Sequence, residues 1–145
     1  SNDSYFMHAF SRPFFILFAL LSFLVGCASQ SLDHFQEEGE GVIRSLIHEL
    51  RGIHSREELL ASSVRLQRLF ERLASIMVEA EEFYASHPKE EKIKGGGINQ
   101  ELSDQLRIEL NRIYRIEGGR QIIEQAEEKA LYLMMEKLPQ FQTPG

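Results

Sequence analysis

A long stripe of apolar residues between Ser55 and Ser86 constrains the fold of this chain more than any other feature. Its positions recur three and four residues apart, which places them along one side of a helix about 46 Å long. They are Leu59, Leu66, Leu73 and Ala80 in one series, Leu69, Ile76 and Phe83 in a second, and Phe70, Met77 and Tyr84 on the flank. The width favours a bundle with neighbours on two sides, and a two-stranded coiled-coil dimer is the alternative.

Both ends of this helix carry local signals. Ser55 followed by Glu58 forms a capping box, in which the serine hydroxyl and the glutamate carboxylate satisfy free backbone N–H groups. Pro88 disfavours helical geometry at His87. We therefore predict one long helix over about residues 56–86.

The remaining mature region also has helical periodicity and no convincing strand pattern. A first helix should begin after residue 30 and end at Gly52, and Asn99 should cap a third. A fourth segment should reach residue 138, and Gly118-Gly119 either breaks the chain into four helices or only bends it, leaving three. We predict an all-α, three- or four-helix antiparallel bundle, with the last two segments folded back along the long helix.

A twelve-residue apolar run, Phe14–Val25, precedes this region. As a helix it would reach about 18 Å, whereas the hydrocarbon of a bilayer is about 30 Å thick. Arg12 supplies a positive flank, as in a signal peptide. The run ends in Leu24-Val25-Gly26-Cys27, and Cys27 is the only cysteine. This ending resembles the lipobox of bacterial lipoprotein signal peptides.

The resemblance implies a diacylglyceryl group on the Cys27 sulfur, cleavage before Cys27 and an acyl chain such as palmitate on the new amine. Residues 1–26 would be the removed signal peptide, 27–30 a lipidated tether, 31–138 the helical domain and 139–145 a disordered tail. Ala28 is not the aspartate associated with inner-membrane retention, so the periplasmic face of the outer membrane is favoured in a Gram-negative source. Ordinary signal-peptidase cleavage near Ala28 is the alternative, and it would discard Cys27.

Composition narrows the classes of function. The formal net charge of −6 argues against nucleic-acid binding, and a single cysteine excludes a disulfide within the chain. His48-Glu49 lacks the second histidine of an HExxH zinc motif, and no glutamate has a histidine three residues later. Residues 95–97 are glycines without the spacing of a P-loop. We therefore expect no metal, no cofactor and no enzymatic activity.

The long helix carries a charge pattern that suits a protein partner. Its first half is basic and its second half acidic, which either orients an envelope protein or pairs with other helices of the same bundle. The predicted partner surface consists of Arg65, Arg68, Arg72, Phe70, Met77, Phe83 and Tyr84. We expect a noncatalytic interaction or scaffold lipoprotein of the cell envelope. The alternatives are a structural lipoprotein that self-associates through the heptad helix, and an enzyme or ligand-binding helical domain.

Overall fold

The computed structural model describes residues 30–87 and 99–138. Helix α1 comprises Gln30–Arg51, α2 Arg56–Ser86, α3 Gln100–Tyr114 and α4 Gly119–Lys137. These two ranges contain no strand, so the predicted all-α bundle is confirmed. The predicted signal peptide and tail lie outside the described residues, as do the lipidation position Cys27 and the three glycines Gly95 to Gly97.

Helix α2 begins and ends where its local signals predict. The backbone N–H of Glu58 donates to the Ser55 hydroxyl oxygen at 3.2 Å, and the Glu58 carboxylate accepts from the His54 N–H at 2.7 Å. At the other end, the N–H of His87 donates to the carbonyls of Phe83 and Tyr84. The capping box therefore satisfies two backbone donors at the start of the helix, one of them a residue earlier than the standard motif.

Helices α1 and α2 run in opposite directions. Glu49 and Arg65 form an ion pair of 3.3 Å near the connection between them, and the rings of Phe35 and Phe83 meet edge-to-face at the far end. Gly52 terminates α1, since its N–H bonds to the Glu49 carbonyl in the last turn. The short connection thus produces the antiparallel pair that the sequence predicts.

Helix α3 packs along α1, whereas we expected it along α2. At the start of α3, the N–H of Asn99 donates to the Glu40 carboxylate at 3.2 Å. At its end, the Arg112 guanidinium donates to the carbonyl of Leu50 at 2.6 Å. The two helices therefore run in the same direction, and Arg112 gives the Leu50 carbonyl a second hydrogen bond beside the one from the Ile53 N–H.

The glycine pair breaks the chain between α3 and α4, so the bundle has four helices in the described residues. Gly118 adopts φ 74°, a left-handed conformation that side chains disfavour. A Cβ at Gly119 would lie 2.0 Å from the Ile113 carbonyl oxygen, so the turn can close tightly only with glycine there. Consecutive helices α3 and α4 are consequently antiparallel.

Helix α4 packs along α2, with its first residues near the start of α2. The Nε of Arg56 would lie 3.5 Å from a Cβ at Gly118. The apolar stripe of α2 is buried between α1 and α4 and forms the centre of the core. Its fully buried members are Leu59, Leu66, Phe70 and Leu73, joined by Ile43, Leu46 and Leu50 of α1, Leu106 and Ile113 of α3, and Ile123, Ala130 and Met134 of α4. The apolar side of the long helix is thus covered by other helices of the same chain.

Within the described ranges, no helix is both long enough and apolar enough to cross a membrane.

Candidate partner surface

A basic cleft lies between α1 and α2 in the part of the chain described. Its volume is about 510 Å³. Helix α1 contributes Arg44, Ser45, His48 and Glu49, and α2 contributes Arg65, Arg68 and Leu69. Leu69 is half-buried and packs against the core, while the arginines around it are exposed. The cleft thus has an apolar floor and a predominantly positive rim.

The rim cations differ in how they are neutralised. Arg65 lies 3.3 Å from the Glu49 carboxylate and Arg44 lies 3.6 Å from that of Glu40, so both are paired with α1. Arg68 and Arg72 have no ion pair or hydrogen bond within residues 30–87 and 99–138. Pairing within the bundle, one of the two alternatives from the sequence, therefore applies to Arg65, whose partner Glu49 belongs to α1. Arg68 and Arg72 are instead exposed to solvent.

We predicted that the aromatic and methionine side chains of the partner surface would be exposed, and the structure shows that two of them are buried. Phe70 is 1% exposed and Met77 is 3% exposed, because α1 and α4 cover both flanks of the stripe. Both belong to the core, and we remove them from the predicted surface. Phe83 and Tyr84 are half-buried.

Phe83 belongs to a small aromatic cluster at one end of the bundle. Its ring meets Phe35 of α1 at 5.9 Å and stacks on His87 at 4.1 Å. The Nδ1 atom of His87 lies 3.0 Å from the Phe83 carbonyl oxygen. These contacts close the end of the α1–α2 pair, so Phe83 stabilises the bundle instead of presenting a free ring.

The acidic half of α2 is as exposed as the basic half. The carboxylates of Glu79 and Glu82 are exposed and have no partner within the residues that the structure describes. They follow Arg68 and Arg72 on the same side of the helix, because Glu79 lies seven residues after Arg72 and Glu82 fourteen after Arg68. The structure therefore keeps the predicted separation of charge along one solvent-facing stripe.

Sequence reasoning missed one unusual group, Glu127 of α4. Its side chain is 1% exposed, and neither carboxylate oxygen has a hydrogen-bond partner. Burial, with a smaller contribution from Glu124, raises the pKa of Glu127 to about 8. Ile123, Glu127, Ala130 and Met134 have the spacing of one helical face, and that pattern was the available signal.

Tyr114 lies near this carboxyl group, at the turn between α3 and α4. Burial and the neighbouring carboxylate of Glu127 raise the pKa of the Tyr114 hydroxyl well above its ordinary value. The guanidinium of Arg120 lies 4.8 Å from the centroid of the Tyr114 ring. A cleft of about 440 Å³ opens beside them and includes Glu124.

In the described ranges the histidines lie on the surface. The Nε2 atom of His34 lies 3.2 Å from the Glu38 carboxylate, and His48, His54 and His87 are exposed. Within the described ranges, no group of three or more His, Cys, Asp or Glu side chains is arranged to hold a metal ion.

The chain was compared with protein-family models, curated proteins and solved structures, and none of them matches it.

Proposed function

We propose that this chain is a lipid-anchored bacterial envelope protein whose helical bundle is a noncatalytic interaction domain. The observation that carries the proposal is the sequence Leu24-Val25-Gly26-Cys27 after the apolar run. Two or three acyl chains on Cys27 would make detachment from a bilayer improbable, whereas one chain binds only marginally. The protein would be held at the membrane without spanning it.

The fold is consistent with that arrangement. Helix α1 begins at Gln30, only three residues after Cys27, so a lipid on Cys27 would hold the bundle close to the headgroups. The end of the bundle nearest the anchor would then contain the start of α1 and the end of α2. The basic cleft would lie about 20–28 Å along α1 from this end, within reach of another envelope protein.

The exposed side chains of α2, and not its buried apolar stripe, support contact as the role of the domain. The apolar stripe of α2 is buried in the core, so the bundle does not need a partner to complete that core. Arg68, Arg72 and Val64 remain exposed on the solvent side of the same helix. A rigid helix that presents cations beside an apolar side chain is a suitable surface for a protein partner.

Membrane fractionation and N-terminal mass analysis test the proposal. The full chain is expressed in a bacterium that processes lipoproteins, together with Cys27→Ala and, as a matched control, Ser29→Ala. We expect the wild-type protein and Ser29→Ala to fractionate with the membrane and to begin at an acylated Cys27. Cys27→Ala should retain residues preceding position 27 and lack the added lipid mass. A freely soluble, unacylated wild-type protein would overturn the proposal.

A further inference from the structure

The solvent-facing side of α2 carries a charge stripe that is complementary to itself. We define the α2 stripe as Arg68, Arg72, Ser75, Glu79 and Glu82, which follow one another at alternating spacings of four and three residues. This spacing aligns them along the helix opposite the buried apolar positions. The two cations occupy one half of the stripe and the two carboxylates occupy the other.

None of these four charges is neutralised within the described part of the chain. Arg68 and Arg72 are one helical turn apart, as are Glu79 and Glu82, so like charges are neighbours at each end. Such neighbours repel each other weakly along a helix. An external partner that offered the opposite order of charges would relieve both repulsions.

We propose that the α2 stripe is the docking surface for a second copy of this chain, bound in antiparallel orientation. A two-fold axis near Ser75 brings Arg72 opposite Glu79 of the other copy. The same axis brings Arg68 opposite the other copy's Glu82, within one residue of register. Two-fold symmetry repeats each contact, so four ion pairs form across one interface.

The side chains around the axis permit the helices to approach. Ser75 at the centre is small, and Ala61 and Ser86 near the two ends of the surface are also small. Val64 is 57% exposed, and it lies as far before Ser75 as Ser86 lies after it. The two-fold axis therefore brings Val64 of each copy near Ser86 of the other, which adds a contact at each end of the interface. A parallel arrangement would instead place arginine against arginine and glutamate against glutamate.

This interface differs from a coiled coil built on the heptad stripe of the same helix. Leu59, Leu66 and Leu73 are already buried against α1 and α4, so dimerisation through them would require the bundle to open. The α2 stripe is exposed in the folded chain and can pair without rearrangement. Because exposed ion pairs are individually weak and screened by salt, the dimer should form at high protein concentration and low ionic strength.

The lipid anchor would strengthen this association and fix its orientation. Confinement to a membrane raises the effective concentration of the two copies. Antiparallel α2 helices place the two α1 starts at opposite ends of the dimer, so both anchors can enter one bilayer only if the helices lie along its plane. This consequence rests on the proposed lipid anchor, whereas the charge pairing does not.

Paired charge reversals test the interface. Sedimentation velocity is measured on the full chain in detergent, at about 50 mM salt and again at about 0.5 M salt. We expect a concentration-dependent dimer at low salt that dissociates at high salt. R72E places carboxylates on both sides of its two contacts, and E79R places guanidinium groups there. Each single variant should weaken dimerisation by about tenfold or more.

Mixing the two variants separates a lost interface from a damaged fold. An R72E copy paired with an E79R copy has opposite charges at both contacts, so the mixture should recover a heterodimer of wild-type affinity. R115E and E128R change exposed charges elsewhere and serve as matched controls, for which we expect wild-type dimerisation. Failure of the mixture to recover, or equal loss in the controls, would overturn the proposal.

Cross-linking gives the orientation independently. In a Cys27→Ala background, Ser75→Cys lies at the proposed axis and should form a disulfide between copies under mild oxidation, whereas Gln125→Cys on α4 should not. Equal cross-linking of both variants would contradict the interface. These measurements do not depend on lipidation, so failure of the dimer and failure of the proposed anchor are distinguishable.

Discussion

The guanidinium of Arg112 donates a hydrogen bond of 2.7 Å to the carbonyl oxygen of Ile53. A second donor of the same group reaches the Leu50 carbonyl, and the Nε atom bonds to Glu109 at 3.0 Å. One side chain of α3 thereby caps the end of α1 and fixes the connection to α2.

Replacement of Arg112 by methionine should destabilise the fold by about 2–4 kcal/mol, since the carbonyls of Leu50 and Ile53 lose charged hydrogen bonds while the aliphatic volume is kept. Urea denaturation followed by circular dichroism measures this loss. Arg107→Met is the matched control, because Arg107 is exposed and lies 3.8 Å from exposed Asp104. Its effect should stay within about 0.5 kcal/mol. Equal midpoints for the two variants would contradict the capping role.

Two glycine-to-alanine substitutions, one at the turn between α3 and α4 and one within α1, should have opposite effects on stability. Gly119→Ala would bring a Cβ to 2.0 Å from the Ile113 carbonyl oxygen, so the turn must open. The expected cost is about 3 kcal/mol or more, which lowers Tm by roughly 10 °C or more. A Cβ at Gly41, within α1, would meet nothing within 4 Å.

Gly41→Ala should therefore stabilise the protein by about 0.5–1 kcal/mol, because alanine restricts the unfolded chain and favours the helix. Thermal unfolding of the two variants side by side provides the comparison. A Gly119→Ala protein as stable as the wild type would show that the turn does not need glycine.

Sorting of the proposed lipoprotein gives a prediction outside the bundle. Ala28→Asp places an aspartate directly after Cys27, the residue type that resembles an inner-membrane retention signal. In a Gram-negative host we expect wild-type protein in the outer-membrane fraction and Ala28→Asp in the inner-membrane fraction, separated on a sucrose gradient. Ala28→Ser is the control and should follow the wild type. Identical distributions of all three would contradict the proposed sorting.

The features that local sequence could predict are those whose causes are local. The bounds of α2 follow from the Ser55 capping box and from Pro88, and the cap at Asn99 is likewise formed within two residues. The packing of α3 on α1 depends on Arg112 meeting a carbonyl 59 residues earlier in the chain, and no pattern in the sequence encodes that distance. Phe70 and Met77 were assigned to a surface because the number of covering helices was unknown.

The charge pattern of α2 was visible in the sequence, but its availability was not. Only the structure distinguishes Arg65, which pairs with Glu49, from Arg68 and Arg72, which have no partner among the described residues. Sequence reasoning missed Glu127, although its spacing from Ile123 and Ala130 places it on the buried face. A glutamate is ordinarily expected at the surface, and at this position the helical periodicity is the better guide.

The buried Glu127 carboxyl predicts an unusual dependence of stability on pH. Its pKa is about 8 in the folded chain and near its ordinary value of 4.5 when unfolded, so the folded state holds the proton more tightly. Its contribution to stability is fully present below pH 4.5 and is lost as pH rises toward 8. The loss across this window is about 4 kcal/mol, because the ionised form has no hydrogen-bond partner in the core.

Urea unfolding at intervals from pH 5 to pH 9 measures this effect. Glu127→Gln cannot ionise, so its free energy of unfolding should fall less steeply with pH than that of the wild type. Glu127→Leu should in addition be more stable than the wild type at pH 9, since it removes a buried group that has no partner. Glu128→Gln is the matched control, because Glu128 is the exposed neighbour on the same helix. If Glu127→Gln and the control both have the same slope as the wild type, folding does not raise the pKa of Glu127.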